Sequence, residues 1–274
     1  MFLVRAAVLG SPVAHSLSPV LHAAAYAALD LAHTYSAIEV KETELENFLA
    51  GVDSNWLGAS LTMPLKEVAF SFADTCDEFA NITGSINTLV FREGIQAFNT
   101  DVLGIVDALA EAEAAQISSA VIFGSGATAR SALVALHTLG ASSVNCVARN
   151  VSDIERMAAI ANEIGVQFEN TAIHDSDWMT ADVVINTTPL GVLDEVARDV
   201  LSPTGLLLDV VYNPWPTQLA ASWAVTGGEI VSGLSMLLHQ AGHQITLMTG
   251  EPAPIVQMRV ALNAELLSRG LSTI

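Results

Sequence analysis

A glycine-rich turn between an apolar strand and a helix constrains the fold more than any other feature, in the stretch SSAVIFGSGATARSALVALHTLG. Gly124, Gly126 and Ala129 follow the spacing G-x-G-x-x-A, which puts small residues at a tight turn and at the start of a helix. The N-terminus of that helix offers N–H donors and a partial positive charge to a phosphate. The pattern predicts a dinucleotide-binding βαβ unit, and a structural glycine turn is the alternative.

The strands and helices on either side of this turn predict two α/β domains. Residues 104–238 continue as repeated strand–helix units, which indicates a Rossmann-like domain with a parallel sheet. Residues 1–103 alternate short strands and helices and include a hairpin around the turn REG, which predicts a mixed sheet. Helices in residues 239–274 are expected to pack back on this first domain. Ser18 and Pro19 are expected at the N-cap and the first position of a helix.

The charge balance excludes one class of partner. With 29 acidic and 10 basic residues, the net charge of −19 argues against nucleic-acid binding. The uncharged run 230–250 is long enough to span a bilayer, but four polar side chains form one face of it, which favours a buried helix. We therefore expect a soluble, cytoplasmic protein that binds neither nucleic acid nor membrane. The histidines show no metal-ligand pattern, so no metal is predicted.

The strand after the glycine-rich helix ends in CVARN, which bears on the choice of cofactor. An acidic residue at this position would accept a hydrogen bond from the ribose 2′-hydroxyl of NAD. Here Arg149 is followed by Asn150, and an arginine can bind a 2′-phosphate. The pattern favours NADP, and a solvent-facing arginine is the alternative.

Several polar residues of the first domain are candidates for catalysis or substrate binding. Lys66 is one of two lysines and follows a Thr-Met-Pro turn, so it is either a solvated helix residue or a catalytic group. Ser16 and Ser18 precede a helix, where hydroxyls and free N–H groups can receive a carboxylate. Asp101 is either the N-cap of the next helix or a partner of the lysine.

Together with these residues, several motifs resemble the shikimate dehydrogenase family in that family's order. They are GSPVAHSLSP, LTMPLK, GSINTL, NTDVLG, GSGATAR, NTTPLG, DVVYNPWPT and GLSMLLHQA. The resemblance implies an α/β substrate domain and a Rossmann-like NADP domain. It implies NADP-dependent interconversion of 3-dehydroshikimate and shikimate in aromatic amino-acid biosynthesis, by a monomer or homodimer. Two alternatives are a quinate/shikimate dehydrogenase that uses NAD and a non-catalytic NADP-binding sensor.

The resemblance also assigns roles to residues. Lys66 and Asp101 match the catalytic pair of the family. The residues that match its substrate contacts are Ser16, Ser18, Thr62, Lys66, Asn87, Asp101, Tyr212 and Gln240. The residues expected to contact NADP are Gly124, Ser125, Gly126, Ala127, Thr128, Ala129, Arg149, Asn150, Thr187, Thr188, Val210 and Gly233. The chain departs from the common pattern at Ala23, Ser60, Ala127 and Asn150.

Overall fold

A computed structural model describes two compact units of this chain. The described residues are 4–114, 117–173 and 177–274. The first unit consists of Met1–Thr100 and Leu237–Ile274, and the second of Asp101–Met236. The chain thus passes between the units slightly before the boundaries expected after residues 103 and 238.

Both units are built from short strands and helices. The strands are β1 (Arg5–Gly10), β2 (Thr34–Glu39), β3 (Trp56–Leu61), β4 (Thr75–Cys76), β5 (Thr88–Phe91), β6 (Ile95–Phe98), β7 (Ser119–Phe123), β8 (Ser143–Val147), β9 (Gln167–Asn170), β10 (Val183–Asn186), β11 (Leu206–Asp209) and β12 (Glu229–Ser232). The helices are α1 (Ser18–Ala28), α2 (Leu45–Ala50), α3 (Leu65–Val68), α4 (Glu78–Thr83), α5 (Thr100–Glu111), α6 (Ala127–Thr138), α7 (Val151–Ile164), α8 (Gln218–Val225), α9 (Gly233–Thr249) and α10 (Ile255–Ser268).

The first unit contains a mixed six-stranded sheet in the order β2-β1-β3-β5-β6-β4. Strand β1 is parallel to β2 and β3, whereas β3, β5 and β6 run antiparallel to one another in turn. The predicted mixed sheet and the hairpin around REG are confirmed. Helix α10 lies against α1, so the C-terminal segment belongs to this unit.

The second unit contains a parallel six-stranded sheet in the order β12-β11-β10-β7-β8-β9. This is the doubly wound order, in which successive strands are added on one side of β7 up to β9 and on its other side from β10 onward. The predicted parallel sheet is confirmed. Strands β9 and β12 were not expected, since QFEN and EIVS are too short and too polar to show a strand pattern.

The cores of the two sheets are apolar, as the sequence pattern requires. In the second unit Trp178 and Trp223 stack with ring centroids 5.7 Å apart, and Phe123 at the end of β7 meets Trp178 edge to face. Phe123 and Trp223 are fully buried. Burial of such rings anchors the strand whose carboxyl end carries the glycine turn.

Two helix starts differ from the expectation. Leu17 is the N-cap of α1 and Ser18 is its first residue, so the predicted capping role of Ser18 is wrong. Instead the Ser16 Oγ accepts a hydrogen bond from the Ser18 N–H at 3.2 Å. Helix α5 begins at Thr100, which places Asp101 within the first turn rather than at the N-cap. Neither Ser18 nor Asp101 therefore stands at the N-cap of its helix.

Candidate active site

The glycine turn lies at the carboxyl ends of β7 and β10, where the strand order reverses. Gly124 has a φ of +106°, and a Cβ there would collide with the Thr187 hydroxyl. Thr187 is held in place because its N–H and its Oγ1 both donate to the Phe123 carbonyl, at 2.9 and 2.8 Å. Glycine is therefore required at position 124 on two independent grounds, conformation and space.

Gly126 is open where Gly124 is crowded. It is the N-cap of α6, and a Cβ there would meet no heavy atom of the described residues within 4 Å. Ser125 and Ala129 on either side are buried, so the backbone of this turn is anchored while the Gly126 face is exposed. An exposed glycine backbone at the N-terminus of a twelve-residue helix fits the approach of a phosphate group. These residues fit a dinucleotide.

Arg149 and Asn150 follow β8, the strand next to β7 in the sheet. Both side chains are exposed, and Asn150 is the N-cap of α7. The Asn150 Oδ1 accepts a hydrogen bond from the Ser152 hydroxyl at 3.0 Å. Asp153, the acidic residue in the first turn of α7, lies 3.7 Å from the Arg156 guanidinium. The strand end thus presents an arginine to solvent and no carboxylate before the helix.

A buried network supports the loops after β10 and β11, and sequence reasoning missed it. The Asn186 Nδ2 donates to the Asp209 Oδ1 at 3.0 Å, and the Thr217 hydroxyl donates to the Asp209 Oδ2 at 2.6 Å. The Asn186 Oδ1 accepts from the Thr188 N–H at 2.9 Å. Burial raises the pKa of Asp209, although these donors partly oppose the effect. Asparagine and aspartate as the last residues of adjacent strands were the available sequence signal.

Two further residues of the cofactor set come together at the start of α9. A Cβ on Gly233 would collide with the backbone of Val210, so glycine allows the chain to pass close to the loop after β11. Tyr212 is half-buried in the same loop. The resemblance assigns Val210 and Gly233 to the cofactor and Tyr212 to the substrate, and the structure brings Gly233 and Val210 together.

On the first unit, Ser16 and Ser18 lie at the start of α1. Ser18 is 5% exposed and Ser16 is half-buried. Because the Ser16 Oγ accepts from the Ser18 N–H, its own hydroxyl hydrogen is left to act as a donor. Position and hydrogen bonding together suit the recognition of an anion.

Asn87 and Gln240 are joined by a buried hydrogen-bond network. The Asn87 Oδ1 accepts from the Thr100 N–H at 2.8 Å, and its Nδ2 lies 3.4 Å from the Gln240 Oε1. Both amides are nearly inaccessible, at 1% and 7% exposure. Asp101, the residue after Thr100, is 4% exposed. The predicted substrate residues Asn87 and Gln240 are therefore neighbours although 153 positions apart.

The Thr62–Lys66 turn is anchored through its backbone. The Thr62 N–H donates to the Leu9 carbonyl and the Thr62 carbonyl accepts from the Leu65 N–H, both at 2.9 Å. The Lys66 carbonyl accepts from the Ile86 N–H at 2.7 Å, while its side chain is half-buried. Lys66 and Asp101 fall in different compact units, and their pairing stays a prediction.

The buried His22 of the first unit predicts a pH-dependent stability. Burial lowers the pKa of His22 from 6.5 to about 3, although a hydrogen bond to Gln244 opposes the shift. Between these values the unfolded chain binds more protons, so stability falls as the pH drops below 6.5. This residue alone should make the protein about 2 kcal/mol less stable at pH 5 than at pH 7. Between pH 7 and pH 5, urea unfolding should show a loss of stability that is about 2 kcal/mol larger in the parent than in His22→Gln.

The control for this experiment is His137→Gln, the same change at an exposed site in the last turn of α6. It should alter the pH dependence by less than about 0.5 kcal/mol. An identical pH slope in the parent and His22→Gln would contradict a neutral buried imidazole.

The part of the chain that the structure describes contains neither a metal-binding cluster nor a membrane-spanning helix. Within residues 4–114, 117–173 and 177–274, no group of three or more His, Cys, Asp or Glu side chains is placed to hold a metal ion. Among the helices of the same ranges, none has the length and hydropathy of a membrane span.

Known proteins resemble this chain through both compact units. The family model of the shikimate dehydrogenase substrate binding domain matches residues 8–89. A shikimate dehydrogenase (NADP+) of Methanococcoides burtonii is 35% identical, over 92% of this chain and 95% of its own.

Solved structures agree with the sequence relatives. The crystal structure of Mycobacterium tuberculosis shikimate dehydrogenase has a TM-score of 0.89 and 41% identity, and the match covers 95% of this chain and 99% of that one. The Thermus thermophilus shikimate 5-dehydrogenase in complex with NADP(H) and shikimate has a TM-score of 0.84 and 30% identity, with coverage of 95% and 99%. Similarity of this identity and coverage shows that the chain belongs to the shikimate dehydrogenase family.

Proposed function

We propose that this protein is an NADP-dependent shikimate dehydrogenase, which interconverts 3-dehydroshikimate and shikimate. The observation that carries the proposal is the similarity to shikimate dehydrogenases (NADP+) across more than nine-tenths of the chain, both compact units included. The names of these relatives do not favour a quinate/shikimate dehydrogenase that uses NAD or a non-catalytic sensor. We infer that the protein acts in aromatic amino-acid biosynthesis, where this reaction belongs.

The second unit is proposed to bind NADP. The glycine turn is open at Gly126 and presents backbone to a pyrophosphate, while Arg149 offers a cation to the 2′-phosphate. Thr187, Thr188 and Val210 lie in the loops at the carboxyl ends of β10 and β11, where ligands gather in parallel sheets. Bound NADP(H) accepts or supplies the hydride.

The first unit is proposed to bind shikimate. The hydroxyls of Ser16 and Ser18 at the start of α1 would receive its carboxylate. Thr62, Asn87 and Gln240 would contact the ring hydroxyls, and the buried network around Asn87 supports this because it holds the amides in one orientation. Tyr212 and Asp101 complete the proposed substrate set.

Lys66 is proposed as the acid and base. In the reductive direction its ammonium would stabilise the developing alkoxide and then donate a proton to it, and in oxidation the neutral amine would take that proton back. A lysine suits this role because its pKa responds to burial, whereas a guanidinium does not release its proton. Asp101 would orient the amine and accept a hydrogen bond from a substrate hydroxyl.

The absorbance of reduced nicotinamide at 340 nm tests the proposal. The purified protein is offered shikimate or quinate with NADP or NAD, and we expect the fastest rise with shikimate and NADP. Faster oxidation of quinate with NAD would favour the quinate/shikimate alternative. No absorbance change with any pair, in a protein that still binds NADP, would favour the sensor.

Ser16→Ala should raise the KM for shikimate with little effect on NADP. A hydrogen bond to a charged group contributes about 1.5–3 kcal/mol, so we expect an increase of about tenfold or more. Steady-state kinetics with each substrate varied in turn give both KM values.

The matched control is Ser268→Ala, at an exposed serine near the end of α10, which should behave like the parent. If Ser16→Ala weakened both ligands equally, the serine would have a structural role and not a role in carboxylate binding.

A further inference from the structure

A series of hydrogen-bonded polar side chains inside the first unit ends at Gln240. The Tyr35 hydroxyl donates to the Ser60 Oγ at 2.6 Å, and the Ser60 hydroxyl donates to the Gln244 Oε1 at 2.7 Å. The Gln244 Nε2 in turn donates to the Gln240 Oε1 at 2.8 Å. Ser60 and Gln244 are 4% and 1% exposed, so water does not compete for these bonds. Neither glutamine can reorient without breaking a buried hydrogen bond.

The orientation of the Gln240 and Gln244 carboxamides follows from one backbone carbonyl, that of Leu237. The side-chain atom of Gln240 that lies 2.9 Å from the Leu237 carbonyl must be Nε2, because a carbonyl oxygen only accepts. The Gln240 Oε1 therefore faces Gln244, and the Gln244 atom that meets it must be a donor. The Gln244 Nε2 also lies 3.4 Å from the Asn87 carbonyl, which requires the same orientation.

His22 adds a further hydrogen bond to this series of polar side chains, at Gln244. Its Nε2 lies 3.2 Å from the Gln244 Oε1, an acceptor, so the imidazole must carry its hydrogen on Nε2. The ring stacks on Tyr35 with centroids 3.8 Å apart. Its Nδ1 has no hydrogen-bond partner within the described part of the chain. This agrees with a neutral imidazole, in which Nδ1 carries no hydrogen and so leaves no donor unpaired. Ser60 and His22 thus both donate to one oxygen of Gln244.

We propose that Gln244 is a positioning residue for substrate binding. Its Nε2 donates to the Gln240 Oε1, and the Leu237 carbonyl accepts one of the two Gln240 Nε2 hydrogens. The second Nε2 hydrogen is the donor that Gln240 can offer to a ring hydroxyl. Ser60 in turn donates to the carboxamide oxygen of Gln244, which holds that side chain in place. The inference rests on the proposed function, since Gln240 is a proposed substrate contact.

A double-mutant cycle tests this role. Gln244→Leu removes the donor to Gln240 at nearly constant volume, and we expect the KM for shikimate to rise about 3- to 15-fold. The kcat and the KM for NADP should change less than about twofold. In a Gln240→Ala background the same substitution should change the KM for shikimate by less than about twofold, because Gln244 acts through Gln240.

Gln257→Leu is the matched control, since Gln257 is exposed on α10 and should tolerate the change. If Gln244→Leu fails to fold, Ser60→Ala removes a single hydroxyl that donates to Gln244 and should raise the KM about two- to fivefold, again only when Gln240 is present.

Two results would overturn the inference in different ways. Equal effects of Gln244→Leu with and without Gln240, or an unchanged KM, would show that Gln244 does not position Gln240. A parent protein that does not oxidise shikimate with NADP would instead remove the proposed function, and the inference with it.

Discussion

Lys66→Ala is expected to oxidise shikimate about 10²–10⁴ times more slowly than the parent, the usual share of general acid–base catalysis. The substitution removes the ammonium group but not the backbone contact, since the Lys66 carbonyl accepts from the Ile86 N–H whatever the side chain. The KM for shikimate should therefore change much less than the kcat. Initial rates at 340 nm over a range of shikimate concentrations separate the two parameters.

The chain provides its own control for this experiment. Lys41, the other lysine, is exposed at the start of a helical turn, and its hydrogen bond to Glu44 comes from its backbone N–H. Lys41→Ala should retain the parental kcat. Turnover of Lys66→Ala within threefold of the parent would show that Lys66 is not the acid and base.

Arg149→Ala is expected to remove most of the preference for NADP. The parent should favour NADP over NAD by at least about tenfold in kcat/KM, because a charge-assisted contact to the 2′-phosphate contributes about 1.5–3 kcal/mol, or about 10- to 150-fold. The net charge of −19 repels the phosphate, so binding depends on a local cation. The variant should lose activity with NADP while its activity with NAD changes little.

Two controls for the Arg149→Ala experiment are the salt concentration and the substitution of a second arginine. Arg149 is exposed, so added salt should weaken the NADP preference of the parent and leave that of Arg149→Ala nearly constant. Arg198→Ala removes the same charge at another exposed position of the second unit and should keep the parental preference. A parent enzyme with equal kcat/KM values for NAD and NADP would contradict the assignment of Arg149 to the 2′-phosphate.

The sequence was most informative where local pattern and glycine chemistry agree. The repeated strand–helix units that begin with the glycine turn predicted a parallel sheet, and the sheet is parallel. The positive φ of Gly124 and the open face of Gly126 explain why small residues recur there at fixed spacing. Family motifs named the remaining candidates, and their roles stay predictions.

The helix starts show where local pattern was insufficient. Serine before a helix is a common N-cap, yet Leu17 caps α1, and the Ser16 hydroxyl bonds the Ser18 N–H instead. The competing geometries differ by one residue, and capping preferences of about 1 kcal/mol do not decide between them. The same ambiguity left an N-cap as one of two interpretations of Asp101, which lies in the first turn of α5.

The α/β class, the glycine turn and a set of candidate site residues could be predicted from the amino-acid sequence, because they depend on periodicity and on residue chemistry along a few neighbouring positions. The pairing of distant polar groups through hydrogen bonds depends instead on how the chain packs. Asn186 and Asp209 meet because β10 and β11 are adjacent strands, and Ser60 meets Gln244 because α9 returns to the first sheet. No local pattern encodes such pairs, since buried polar groups take whichever partner the packed chain brings within reach.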